Sequence, residues 1–201
     1  MNIDNLKKIL KFIDLTNLDS NCTLDDVNRL TDKALNSFED LASCCVWPKF
    51  VYFTKKKILN KNTKVCTVLN FPNGDLRFKT LKKEIDKVIT EGVDEIDFVI
   101  PYKSILNNDF SLFEELVLDF SNYKLINKNN IILKAIIESG ELNNKSLIEK
   151  VSLFLISNNI NFIKTSTGKV PINATPEVAE VILNCIKQNA GQKKVGLKEQ
   201  F

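Results

Sequence analysis

Six charged residues stand near the ends of apolar, strand-length runs, and their types are those of carbonyl chemistry. Asp14 lies in FIDLT, Asp97 in EIDFVIP, Lys134 and Glu138 in IILKAIIESGE, Lys164 in NFIKTSTGK and Lys198 in KVGLK. A lysine closing a buried strand is unusual, because an ammonium group is almost never fully buried unless it is paired. An amine in a low-dielectric pocket beside a second cation has a lowered pKa, and its neutral form attacks a carbonyl. Two lysines and carboxylates converging on one cavity therefore suit a class I aldol reaction, with a Schiff base on one lysine and a carboxylate moving protons. This chemistry requires no metal and no organic cofactor. For any one of these residues the competing reading is a satisfied hydrogen-bond layer inside a barrel. Together they favour function, because several charges at corresponding strand ends are costly to bury.

The elements that must position these groups follow from hydrophobic period. Seven runs read as strands: 12–16, 41–47, 64–69, 95–101, 131–138, 161–165 and 194–198. Between them, 24–38, 77–91, 111–125, 144–157 and 175–189 repeat apolar residues three and four apart and read as helices. Thr23 ahead of Asp25 and Asp26, and Thr175 ahead of Pro176, are helix starts; Gly92 and Gly191 are helix stops. Alternating strands and helices predict a parallel α/β fold, a (β/α)₈ barrel at the lower edge of its usual length, as one domain over residues 1–201. In EIDFVIP, alternation places Asp97 and Val99 on the face opposite Ile96, Phe98 and Ile100, so Asp97 points inward.

Composition narrows the partners. With 28 basic and 25 acidic residues the net charge of +3 gives no nucleic-acid footprint. The clusters Lys55 to Lys57 and Lys79, Lys82 and Lys83 read as solvated helix faces. No apolar stretch approaches a membrane span, and no leader-like segment opens the chain, so the expected partners include no membrane and the expected location is the cytoplasm. The five cysteines form no C-x-x-C pair, and the absence of histidine excludes the usual structural zinc sites and a Ser-His-Asp triad. Cys44 and Cys45 are expected to pack as small hydrophobes. Neither G-x-G-x-x-G nor G-x-x-x-x-G-K-[ST] occurs.

The segments FIDLT, CVWPKF, TVLNFPNG, DEIDFVIPY, LKAIIESGEL and FIKTSTGKVPINATPE together resemble the deoxyribose-phosphate aldolase family, in order, from about residue 10 to residue 198. The resemblance implies a (β/α)₈ barrel that cleaves 2-deoxy-D-ribose 5-phosphate to D-glyceraldehyde 3-phosphate and acetaldehyde in deoxyribonucleoside catabolism, without metal or cofactor. It makes Lys164 the Schiff-base nucleophile and Asp97 a proton donor and acceptor. Lys198 becomes the lysine that lowers the nucleophile's pKa and joins the proton relay. Asp14 and Lys134 match supporting polar positions, and Thr167, Gly168 and Lys169 match positions near the substrate's hydroxyl and phosphate end. The implied partner is a small sugar phosphate, with a homodimer left open. The family continues beyond VGxK with a Gly-Gly turn, an eighth strand and further helices, whereas this sequence reads VGLKEQF. An incomplete, C-terminally truncated barrel is therefore expected, self-associating and less active without its phosphate loop. An alternative stays open: a truncated or frameshifted inactive remnant that binds a sugar phosphate or a protein.

Overall fold

Runs expected to be strands are strands, and each is trimmed where its ends meet solvent. A computed structural model describes residues 3–59, 61–127, 130–189 and 194–200. Gly191, an expected helix stop, lies outside the described residues. The chain divides into two compact units, Met1–Val68 with Lys83–Ile96, and Leu69–Lys82 with Asp97–Phe201.

The first unit begins with α1 (Ile3–Leu10) and β1 (Asp14–Asn17), followed by α2 (Leu24–Leu35), β2 (Ser43–Val46), a 3₁₀ turn (Pro48–Phe50), α3 (Val51–Lys57) and β3 (Lys64–Leu69). It also holds most of α4 (Phe78–Thr90) and the start of β4 (Glu95–Val99). Parallel pairing joins β1 to β2 and β2 to β3 in equal steps, Asp14 opposite Ser43 and Ser43 opposite Lys64. Asp94 fastens the entry to β4: its backbone N donates to Val65 O at 2.9 Å and its carboxylate accepts from Val65 N at 2.8 Å. Helix α2 starts as its sequence dictates, with a capping box in which Thr23 Oγ1 accepts from Asp26 N and the Asp26 carboxylate accepts from Thr23 N. Gly92 ends α4 with φ +91, where glycine alone is unstrained. The strands are buried on both faces, as parallel strands under helices are, and Cys44 and Cys45 pack within them as expected.

The lysine clusters need one correction. Lys79, Lys82 and Lys83 are exposed, but Lys55 reaches both Asp94 oxygens at 2.7 Å and Lys57 reaches Asp32 at 2.8 Å, so these two are half-buried ion-paired groups rather than a solvated face. Their aliphatic stems cover apolar surface while their ammonium ends meet carboxylates.

The second unit receives the end of β4 and continues with α5 (Tyr102–Leu106), α6 (Ser111–Ile126), β5 (Ile132–Ile136), α7 (Ser139–Leu142), α8 (Lys145–Ser157), β6 (Phe162–Lys164), α9 (Pro176–Gln188) and β7 (Gly196–Lys198). Ile100 N donates to Ile136 O at 3.0 Å beside the ends of β4 and β5. Strand β5 pairs with β6, and β6 with β7, both parallel, so that Ile136, Lys164 and Lys198 stand in one row. On the helix-facing side of β4, Phe98 stacks on Phe120 of α6 with centroids 4.2 Å apart, and Phe78 meets Phe120 edge-on at 5.1 Å. That aromatic layer fixes which face of β4 is left for Asp97. Thr175 caps α9 by accepting from Val178 N, with Pro176 in the first turn. Seven strands thus alternate with helices among the described residues, the α/β order of a (β/α)₈ barrel with seven of its strands present.

Candidate active site

Strand ends of the second unit bring three charged side chains into contact where water hardly reaches. Asp97 is fully buried, Lys134 is 2% exposed and Lys164 is 3% exposed. Asp97 Oδ1 lies 2.9 Å from Lys134 Nζ, and Asp97 Oδ2 accepts from Lys164 Nζ at 2.8 Å. Each contact has the length of a charge-assisted hydrogen bond. Alternation along β4 sends Asp97 to the face opposite Phe98, so the aromatic packing of Phe98 is what aims the carboxylate at the lysines. Burial alone would raise the Asp97 carboxyl, but the Lys134 and Lys164 ammonium groups together hold it well below the usual carboxylate range. It is an ionised group shared by two cations.

Lys198 is half-buried and stands opposite Lys164 in the β6–β7 register. Residues opposite each other in parallel strands project to the same face, so Lys198 flanks the nucleophile candidate. The turn leaving Lys164 is buried at Thr165, Ser166 and Thr167 and emerges at Gly168 and Lys169, both exposed. Gly168 has φ +75, a conformation that lets the turn reverse without a Cβ penalty. Thr167 Oγ1 accepts from Lys169 N at 3.0 Å. On its far side the turn is tied to the residues after β7, through Gln200 N donating to Thr165 Oγ1 at 3.2 Å and Ala174 N donating to Gln200 O at 3.1 Å.

Of the residues singled out by sequence, Asp97, Lys134 and Lys164 meet directly, and Thr167, Gly168, Lys169 and Lys198 lie on the two segments beside Lys164 in the same unit. Asp14 belongs to the first unit, half-buried, where its carboxylate accepts from Ser43 Oγ at 2.8 Å. Glu138 received no role from the sequence beyond that of a strand-end carboxylate. It is fully buried and binds Thr167 at both oxygens, with its Oε1 accepting from Thr167 N and its Oε2 from Thr167 Oγ1. Its signal was the run Ile-Ile-Glu-Ser-Gly, a carboxylate at the point where an apolar strand gives way to small residues.

An ionised carboxylate in contact with two buried amines, at the end of parallel strands, can hold an amine for attack on a carbonyl and then accept or return a proton. Comparison with known proteins points the same way. No family model matches the chain. Over 190 residues it is 39% identical to a protein of Agrobacterium fabrum named deoxyribose-phosphate aldolase, covering 94% of this chain and 71% of that one. Its fold matches a deoxyribose phosphate aldolase from Aeropyrum pernix, described as having a unique tetrameric structure, with a TM-score of 0.82 at 20% identity over 96% of this chain and 77% of the other. It also matches the aldolase QR15 with a TM-score of 0.80 at 24% identity, over 95% of this chain and 80% of the other. The sequence relationship, rather than the shared fold, carries the assignment: the chain belongs to the deoxyribose-phosphate aldolase family.

Proposed function

We propose that the chain cleaves 2-deoxy-D-ribose 5-phosphate to D-glyceraldehyde 3-phosphate and acetaldehyde through a Schiff base on Lys164. The observation that carries this reading is the shared Asp97 carboxylate between two buried lysines, in a chain of this family. The neutral Lys164 amine attacks the C1 carbonyl, and loss of water from the carbinolamine gives the imine. A base then removes the proton of the C3 hydroxyl, the C2–C3 bond breaks, and its electron pair moves to C2 and the imine as an enamine. D-Glyceraldehyde 3-phosphate leaves. Protonation at C2 and hydrolysis release acetaldehyde and restore the amine.

Lys134 and Lys198 disfavour an ammonium at Lys164 by like-charge proximity, which raises the share of neutral nucleophile. Asp97, while it faces two ammonium groups, is too weak a base to hold a proton. Neutralising Lys164 in the carbinolamine removes one of those cations, and the carboxylate becomes able to shuttle protons in the later steps. Thr167, Gly168 and Lys169 serve the hydroxyl and phosphate end of the substrate, with exposed Lys169 as the phosphate's counter-charge. Asp14 supports the site as a polar group. The proposal includes a role in deoxyribonucleoside breakdown in the cytoplasm, supported by five cysteines that are all free thiols. It also includes self-association, supported by the tetrameric Aeropyrum pernix relative. Among the described residues no helix is long and apolar enough to cross a membrane. The test is release of D-glyceraldehyde 3-phosphate from 2-deoxy-D-ribose 5-phosphate by the purified chain, read with a coupled dehydrogenase. Turnover that Lys164→Ala abolishes supports the reading, and turnover that survives it overturns the assignment of Lys164.

A further inference from the structure

Glu138 takes no part in the chemistry above, yet the chain strains to place it. Its backbone is left-handed, φ 49 and ψ 58, a conformation that costs a residue with a Cβ roughly 1–3 kcal/mol. The strain aims a fully buried carboxylate at Thr167: Oε1 accepts from Thr167 N at 3.2 Å and Oε2 accepts from Thr167 Oγ1 at 2.5 Å. The shorter contact has the length of a hydroxyl donating to a carboxylate.

These contacts fix the direction of every hydrogen bond at Thr167. An ionised carboxylate only accepts, so the Thr167 hydroxyl hydrogen is committed to Glu138. A hydroxyl also has two lone pairs, and one of them accepts from Lys169 N at 3.0 Å. One lone pair remains, and it can only accept. Thr167 follows Lys164 in the buried part of the turn, so whatever it meets is a substrate atom close to the reacting carbon.

The geometry points to Glu138 as a positioning residue that makes Thr167 an obligate hydrogen-bond acceptor, so that the site selects a phosphorylated aldehyde carrying a hydroxyl donor beside its carbonyl over the analogue without that hydroxyl. The inference rests on the aldolase reading and deepens it. A site built to pair a substrate hydroxyl rejects the deoxy analogue because its own polar atom is then left buried and unpaired.

The experiment runs the reaction in the synthetic direction, joining acetaldehyde to D-glyceraldehyde 3-phosphate or to 3-oxopropyl phosphate, and takes the ratio of the two kcat/KM values. In Glu138→Gln the carboxamide donates to Thr167 Oγ1 and frees its hydrogen, and the ratio is expected to fall at least about tenfold. Borohydride trapping of acetaldehyde on Lys164 should stay within about twofold, since the nucleophile does not touch Glu138. Thr167→Val should lose the discrimination as well, and Thr167→Ser should keep it. An unchanged ratio in Glu138→Gln overturns the proposal. Should that variant fail to fold, an unchanged ratio in Thr167→Val overturns it equally. A wild-type chain that traps acetaldehyde but shows no preference sinks this inference alone, whereas one that traps no acetaldehyde sinks the aldolase reading beneath it.

Discussion

Lys134 and Lys164 divide one carboxylate between them, Lys134 on Asp97 Oδ1 at 2.9 Å and Lys164 on Asp97 Oδ2 at 2.8 Å. Neither ammonium has the anion to itself, so each makes the other's charge harder to keep. Position separates their fates. Lys134 lies within β5, whereas Lys164 ends β6 and opens onto the turn that reaches solvent at Gly168 and Lys169. Borohydride reduction with acetaldehyde is therefore expected to label Lys164, with Lys134 and Lys198 unmodified in the peptide map. Label on Lys134 in place of Lys164 would reverse the assignment.

The same sharing makes the cost of losing each partner unequal. Asp97→Asn leaves two buried amines without their carboxylate, and removing one partner of a buried pair costs roughly 3–5 kcal/mol. Lys134→Met keeps the Asp97–Lys164 pair and replaces a long stem with one of similar length, so it should cost less in urea unfolding. It should also move the pH dependence of imine trapping upward, because Lys164 loses a neighbouring cation and holds its proton more firmly. A Lys134→Met protein as unstable as Asp97→Asn, with an unmoved trapping profile, would show that Lys134 matters for packing alone.

Stability should respond to pH through two buried carboxyls of opposite sign. Asp97 is depressed below its ordinary 3.8 by Lys134 and Lys164 despite burial, so its contribution is present above that value and is lost as pH falls through the folded value. Glu138 is raised above its ordinary 4.5, chiefly by burial and further by Glu141, with Thr167 opposing; the folded state prefers it protonated. Its contribution is fully present below 4.5 and declines as pH rises through the folded value. Urea titrations across this range should show Asp97→Asn losing the acid-side slope below about 4 and Glu138→Gln losing the decline above about 4.5. Slopes identical to wild type in both variants would mean that neither group titrates differently on folding.

Periodicity made most of the fold legible because the long elements carry several repeats of their pattern. Strand β3 matches its expected span, Lys64–Leu69, and helix α8 differs from its own by one residue at the start, where Asn144 proves to be the cap. Helices α5 and α7 were not legible, since five and four residues hold barely one turn and no i, i+4 series. The 3₁₀ turn at Pro48 and helix α3 behind it were hidden by the proline and by lysines that look solvated until Asp94 and Asp32 are seen beside them. Helix α1 was legible, with Leu6, Ile9 and Leu10 on helical spacing, but lies outside the expected set. At the site, strand-end position identified Asp97, Lys134 and Lys164, but not which oxygen met which amine. The partnership of Glu138 with Thr167 depends on a left-handed backbone that no sequence pattern announces.

Gly140 gives the last prediction, because it is where the corner after β5 touches the turn after β6. A Cβ built on Gly140 would stand 1.9 Å from Ile172 O and 2.7 Å from its carbonyl carbon, so any side chain there must push backbone apart. The corner has little room to yield: Ser139 N donates to Thr165 O at 2.8 Å, and left-handed Glu138 and Asn143 flank the short helix α7. Gly140→Ala should therefore displace the segment from Thr165 to Ile172, which carries Thr167 and Lys169. Overpacking of this kind costs roughly 1–3 kcal/mol. The expected kinetic mark is a rise in KM for 2-deoxy-D-ribose 5-phosphate larger than the loss in acetaldehyde trapping on Lys164, since β6 itself stays paired with β5 and β7. Gly92→Ala is the control. It forces φ +91 on an alanine in the first unit, where the nearest obstruction is the flexible Lys55 stem at 3.1 Å, and it should lower stability without changing KM. If both glycine variants lose stability and leave KM alone, contact between Gly140 and Ile172 holds the fold but not the substrate, and the turn is positioned by Glu138 and Gln200 without help from α7.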